Sequence, residues 1–112
     1  MAFTTATVAR IEQGNKQFQG MFSEMWAATL TVDPSSIAAA GEDIATFAVP
    51  GVVLGDMVIS YSAGVNQTVD ADINVWVSAA DVLSIRISNL HASSALDLAT
   101  STWKVVIGRP AF

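Results

Sequence analysis

The 112 residues contain no cysteine, which excludes a disulfide framework, a thiolate nucleophile and any cysteine-based zinc site. There is a single histidine, His91, so every histidine-based acid–base or nucleophilic mechanism would have to run through that one residue. Charge is scarce too. Charged residues make up 13% of the chain, against about 25% in an average globular protein. The five Lys and Arg residues are never adjacent and the net charge is −5, so no nucleic-acid partner is expected. No apolar run approaches the roughly 18 residues of a membrane span, and no membrane association is expected. The opening MAFTTATVAR has neither a basic n-region nor an apolar h-region, so a secretory leader is not expected and synthesis in a cytoplasm is. So few charges leave wide, weakly polar surfaces, which points to association with itself or with a partner.

Motifs that carry chemistry are also missing. The chain has no G-x-S-x-G nucleophile elbow, no G-x-x-x-x-G-K-[ST] and no G-x-G-x-x-G, which leaves no sequence basis for a triad hydrolase or a phosphate-cradling loop. His91 lies in SNLHASSALD near Ser88, Ser93, Ser94 and Asp97, but neighbours along a loop are not a triad, and a structural or solvent-facing histidine is expected. Asp70 and Asp72 in VDAD would share one face of a strand, yet two oxygen donors are a fragment of the six to eight that calcium takes. Carboxylates at that spacing read as a solvated strand edge that discourages aggregation. Asn66-Gln67-Thr68 fits a glycosylation sequon without a leader to make it meaningful. No enzyme activity, cofactor or metal is expected.

What is present is regular β punctuation. WAATLTV (Trp26 to Val32) alternates, with Trp26, Ala28, Leu30 and Val32 on one face, and ends at Asp33-Pro34. EDIATFAV (42–49) runs to Pro50-Gly51, and MVISYSA (57–63) follows Gly55-Asp56, setting Met57, Ile59 and Tyr61 together. ADINVWVSA (71–79) places Ile73, Val75 and Val77 against Asp72, Asn74, Trp76 and Ser78; VLSIRIS (82–88) turns Leu83, Ile85 and Ile87 inward; WKVVIG (103–108) closes the domain. Residues 35–41, SSIAAAG, fit either a helical turn or a loop. Short strands between frequent turns, with no helical period sustained over three turns, predict one all-β domain, an antiparallel β-sandwich of jelly-roll-like type.

The stretch PGVVLGDMVISYSAG (50–64) and the tetrapeptide Ser78-Ala79-Ala80-Asp81 read as tight corners. Pro50 fixes φ, Gly51 and Gly55 permit angles other residues resist, and Asp56 can accept hydrogen bonds from turn amides. Residues 1–25 differ from the rest: Gly14, Gly20 and polar amides interrupt any period. They read as an extended N-terminal arm that orders against a neighbour, or as a first hairpin of the same sheet, ahead of a sandwich domain over 26–112. Phe18, Met21 and Phe22 are the candidate apolar anchors there. Trp76, on the polar parity of its strand, is a candidate interface residue, with carbohydrate stacking and burial under a second sheet as its other readings.

The order of these pieces resembles a family of tailed-phage virion proteins. TVDPSSIAAAGEDIATFAVPG, GVVLGDMVISYSAG, WVSAADVLSIRISNL and LDLATSTWKVVIGRP follow its succession of a T-V-D-P opening, a V-P-G…G-D-x-V corner, a V-S-A-A-D hairpin and a closing T-W-x-V-x-I strand, over about two thirds of the chain. The resemblance implies a capsid decoration or cement protein. Such a protein is a homotrimer on the outer surface of the virion that clasps the major capsid protein, with a head-fibre or tail-fibre module that binds a host receptor or glycan as the related alternative.

Overall fold

The computed structural model describes residues 21–64 and 71–112 in full and the backbone of residues 2–11. Seven strands follow one another: β1 (Ala2–Ile11), β2 (Phe22–Asp33), β3 (Glu42–Ala48), β4 (Met57–Ser62), β5 (Ala71–Ala79), β6 (Val82–Asn89) and β7 (Ser101–Pro110). They form two antiparallel sheets, one of four strands in the order β1-β2-β7-β4 and one of three in the order β3-β6-β5. The sheets stack so that β1 lies over β3 and β4 over β5. The molecule is therefore an all-β sandwich, and it is elongated, 49 × 24 × 23 Å.

Period-2 alternation sets which residues fill the space between the sheets. Trp26, Ala28, Leu30 and Val32 from β2 and Trp103, Val105 and Ile107 from β7 face Phe47 of β3, Val77 of β5 and Leu83, Ile85 and Ile87 of β6. Trp103, Leu30, Leu83 and Ile107 are fully inaccessible to water. At roughly 1.5–3 kcal/mol per buried large apolar side chain, this layer supplies the main force for folding. Trp103 also satisfies its indole N–H on Ser101 Oγ at 2.8 Å, so its burial strands no donor.

Three local expectations need amendment. Residues 35–41 form no helical turn; Ile37 instead makes an isolated antiparallel bridge to Leu96, with both backbone bonds at 2.7–2.8 Å. That bridge buries Ile37, Leu96 and Leu98 against the core, a long-range reward that outweighs the helix propensity of the alanines. The grouping of Met57, Ile59 and Tyr61 on one face also fails. A bulge in β4 between Val58 and Ser60 reverses the parity: Tyr61 stacks on Trp103 (ring centroids 6.1 Å apart, 13° between planes), while Met57 and Ile59 stay on the outside. Finally, β2 begins at Phe22 rather than Trp26, and β1 pairs along most of its length. Residues 2–11 thus form the outermost strand of the four-stranded sheet.

Candidate functional site

The corner between β3 and β4 is built on one guanidinium. Arg109, near the end of β7, donates from Nε and Nη2 to the two carboxylate oxygens of Asp56 at 3.0 and 3.1 Å. Nη1 donates to Glu24 at 2.9 Å and Nη2 also to the Gly51 carbonyl at 2.8 Å. The guanidinium lies over the Trp26 ring, 5.2 Å from its centroid. Its hydrogen bonds to Asp56 raise its pKa above the ordinary value, with the charges of Asp56 and Glu24 adding to the effect and burial opposing it. A raised value contributes stability that is complete below the unfolded pKa and lost only as pH rises through the folded one, so the Arg109 guanidinium keeps its charge at every working pH.

Asp56 is almost fully buried and accepts a further bond from the Val53 N–H at 2.9 Å. The second corner meets the first at Asp81. This residue, in the left-handed region at φ 64°, accepts the Gly51 N–H on Oδ1 at 2.8 Å, accepts the Val49 N–H on its carbonyl and donates its own N–H to Val52. Gly51 (φ 101°) lies so close to the Trp26 indole that a Cβ would sit 3.3 Å from its Nε1. Both the angle and the contact call for glycine.

Around this knot the surface is apolar. Met21, Val53, Leu54, Met57, Ile59 and Phe112 are all exposed. They are held together by position: the Ala111 N–H bonds the Met21 carbonyl, Met25 and Met57 flank Gly108 across three strands, and the turn from Val53 to Asp56 leads directly into Met57. Phe22 is buried on this outer face. A Cβ on Gly108 would come within 2.6–2.9 Å of Phe22 and 2.8 Å of Ile59, so the missing side chain at 108 is what seats both. Of the candidate anchors, Met21 is half exposed at the rim, Phe22 forms the floor, and Phe18 lies outside the described residues.

Trp76 lies on the opposite side of the molecule, half-buried on the outer face of the three-stranded sheet. The Arg86 guanidinium sits 5.6 Å from its ring centroid, and with Asn74 the two line a groove of about 340 Å³. Sequence parity placed Trp76 outward; it gave no sign that Arg86 would reach it across the strands.

His91 is a structural acceptor. Its Nδ1 takes the N–H groups of Ser93 at 3.1 Å and Ser94 at 3.0 Å, so these serines meet the imidazole through their backbone rather than their hydroxyls. The loop is tied down by Asn89, which is buried. Its Nδ2 donates to the carbonyls of Ser94, Ile37 and Ala38 at 2.8–3.3 Å, and its Oδ1 accepts the His91 N–H at 3.0 Å. Asn89 carried no signal in the sequence beyond its place at a strand end. Asp72 stands on the outer face in register with Ser88 and Glu42, and Asp70 lies outside the described residues. Among the described residues no three His, Asp or Glu side chains gather in metal-binding reach.

Comparison with protein-family models, with curated proteins and with solved structures finds no match to this chain.

Proposed function

We propose that this protein is a virion structural protein of a tailed phage, a capsid decoration or cement protein that sits on the outer shell as a homotrimer and grips neighbouring copies of the major capsid protein. The observation that carries the reading is the apolar surface around the Arg109 knot. Methionines, Val53, Leu54 and Ile59 are presented to solvent on a backbone locked by the polar bonds of Arg109 to Asp56 and Gly51. A stiff apolar surface loses little conformational entropy on docking, and its methionines adapt to an uneven partner. The order of the corner and hairpin motifs along the chain, which resembles phage decoration proteins, supports the same reading. In this reading the sandwich is a jelly-roll-like variant, the N-terminal stretch whose residues 2–11 form edge strand β1 contacts a neighbouring subunit or the shell, and stabilisation arises from many modest contacts repeated over the particle.

The test is binding to expanded shells that lack the protein. The native chain should bind them and raise the temperature at which they rupture. A Met57→Asp/Ile59→Asp double variant should bind at least about a hundredfold more weakly while its own melting changes little, since the substituted side chains are exposed. Light scattering on the free protein should give three times the 11.7 kDa chain mass. Shells that bind the double variant as tightly as the native chain would end the assignment of this surface. The fibre-module alternative, with a host receptor or glycan as partner, draws on the Trp76 face, where an outward indole stands beside an arginine.

A further inference from the structure

On the outer face of the three-stranded sheet, edge strand β5 aligns Trp76 with Ser84 and Thr46, and the adjacent row aligns Asn74, Arg86 and Ile44. A tryptophan here adds nothing to the layer between the sheets, because its strand neighbours Val75 and Val77 point the other way, toward the core. Its surroundings are polar. Ser84 is buried beneath the row and exchanges a 2.7 Å hydroxyl bond with Ser78. The groove walls are an amide, a guanidinium and an indole. Its volume of about 340 Å³ lies at the small end of the roughly 300–1,000 Å³ range of ligand sites.

From this geometry we infer that the Asn74–Trp76–Arg86 groove is a binding site for a neutral pyranose, the terminal or penultimate sugar of a surface glycan. An indole offers a flat apolar surface to the C–H face of a sugar ring. Asn74 supplies one acceptor and two donors, and Arg86 a fork of donors, which together match adjacent hydroxyl groups. The electrostatics select a neutral sugar over an acidic one. Arg86 already has Glu42 at 3.7 Å, Asp72 stands in register with Glu42 two residues along the strands, and the chain carries −5 overall. A carboxylate ligand would meet that field unfavourably, whereas hydroxyl groups accept donors from Arg86 without needing its net charge. A protein partner fits less well: Ile44 is the single exposed large apolar side chain on these two rows, whereas a protein hot spot surrounds its tryptophan with a desolvated apolar rim. The site faces away from the apolar corner and stands whether the particle-level role is decoration or fibre.

The experiment is a titration of the isotopically labelled full chain, followed by two-dimensional nuclear magnetic resonance. The probes are chitotetraose, maltotetraose and cellotetraose as neutral glycans and 3′-sialyllactose as the acidic one. A neutral tetrasaccharide is expected to shift the Trp76 indole N–H, the Asn74 side-chain amide and the Arg86 Nε–H saturably, with millimolar affinity or better, and sialyllactose to bind more weakly. Trp76→Ala and Asn74→Ala should each weaken binding at least tenfold. Asn74 is exposed, so its variant keeps the fold and decides the question even if Trp76→Ala melts. No saturable shift with any neutral probe at 10-millimolar concentrations (about ten times the expected dissociation constant), or shifts that map to another face, would overturn the site. Tighter binding of sialyllactose would overturn the neutral class. Loss of shell binding in Trp76→Ala without any sugar response would reassign this face to a protein partner.

Discussion

At the corner end of the sandwich a carboxylate, Asp56, accepts from Arg109 and from the Val53 amide, whereas at the far end an amide, Asn89, donates to three carbonyls and accepts one N–H. Each polar side chain closes two loops, yet the chemistry is opposite. The corner is tied by charge and surrounded by exposed apolar side chains; the far end is tied by a neutral group between the 35–41 loop and the loop that follows β6. A charged knot suits a rigid surface, because the guanidinium already makes four hydrogen bonds, to Asp56, Glu24 and the Gly51 carbonyl. The neutral knot needs no such provision, since a buried amide with all its partners present is satisfied as it stands.

Exchanging one atom at each end breaks the comparison most sharply. Asn89→Asp removes both donors and sets a carboxylate against the carbonyls of Ile37, Ala38 and Ser94. The expected cost is about 4 kcal/mol or more, a fall in melting temperature above about 15 °C. Burial without a cation raises the pKa of the new carboxyl above its unfolded value. The penalty is therefore complete above the folded pKa and is relieved as pH falls through it toward about 4, where the unfolded group also protonates. Thermal melts across that range should show the variant gaining on the native chain on the acid side. Asp56→Asn keeps one acceptor for Val53 but loses the bidentate charged pair with an arginine that is partly exposed, and should cost about 2 kcal/mol. Equal losses in the two variants would show that the ends are not chemically distinct.

The two ends were not equally legible in the sequence. Pro50, Gly51, Gly55 and Asp56 mark the corner because backbone angle and turn chemistry are local properties, and local properties are written in adjacent residues. The same is true of the alternating strands, whose inward residues form the core as their parity requires. Arg109 reaches that corner from 53 residues away along the chain, and no spacing announces such a meeting. Asn89 is another long-range knot, joined to Ile37 across 52 positions. The β4 bulge defeats parity for a related reason: one extra residue opposite β7 reverses every side chain beyond it, and nothing in MVISYS marks where it falls. The groove beside Trp76 was half legible, its indole by parity and its arginine by contact alone.

The next largest effect tests whether the corner's outer face is shaped by an absent side chain. Gly108→Val places methyl groups where Phe22 and Ile59 now meet, and overpacking of this kind costs about 1–2 kcal/mol. The melting point should fall while Asn89 and its loop keep their hydrogen-exchange protection, because the strain is confined to one end. Shell binding should weaken as Phe22 and Ile59 are pushed out of place. A variant that melts and binds like the native protein would show that Gly108 does not shape this surface.

The smallest effect compares two residues with nearly the same backbone angle. Ala40, at the far end, has φ 59° and Asp81, at the corner end, φ 64°, in a region that costs a residue with a Cβ about 1–2 kcal/mol. Ala40 contributes only its backbone there, donating its N–H to the His91 carbonyl, so Ala40→Gly relieves the strain and loses no side-chain bond. Against this relief stands the greater freedom of glycine in the unfolded chain, about 0.5–1 kcal/mol. The net expectation is a gain of about 0.5 kcal/mol, a rise in melting temperature of a few degrees. Asp81→Gly obtains less relief, because aspartate tolerates this region better than alanine does, and it forfeits the Oδ1 bond to the Gly51 N–H, about 1 kcal/mol, so its sign reverses to a net loss. Paired melts that move in opposite directions would place the difference in the side chain of Asp81, whose Oδ1 adds a bond to Gly51 beside the backbone bonds to Val49 and Val52; melts that move together would place it in the backbone alone.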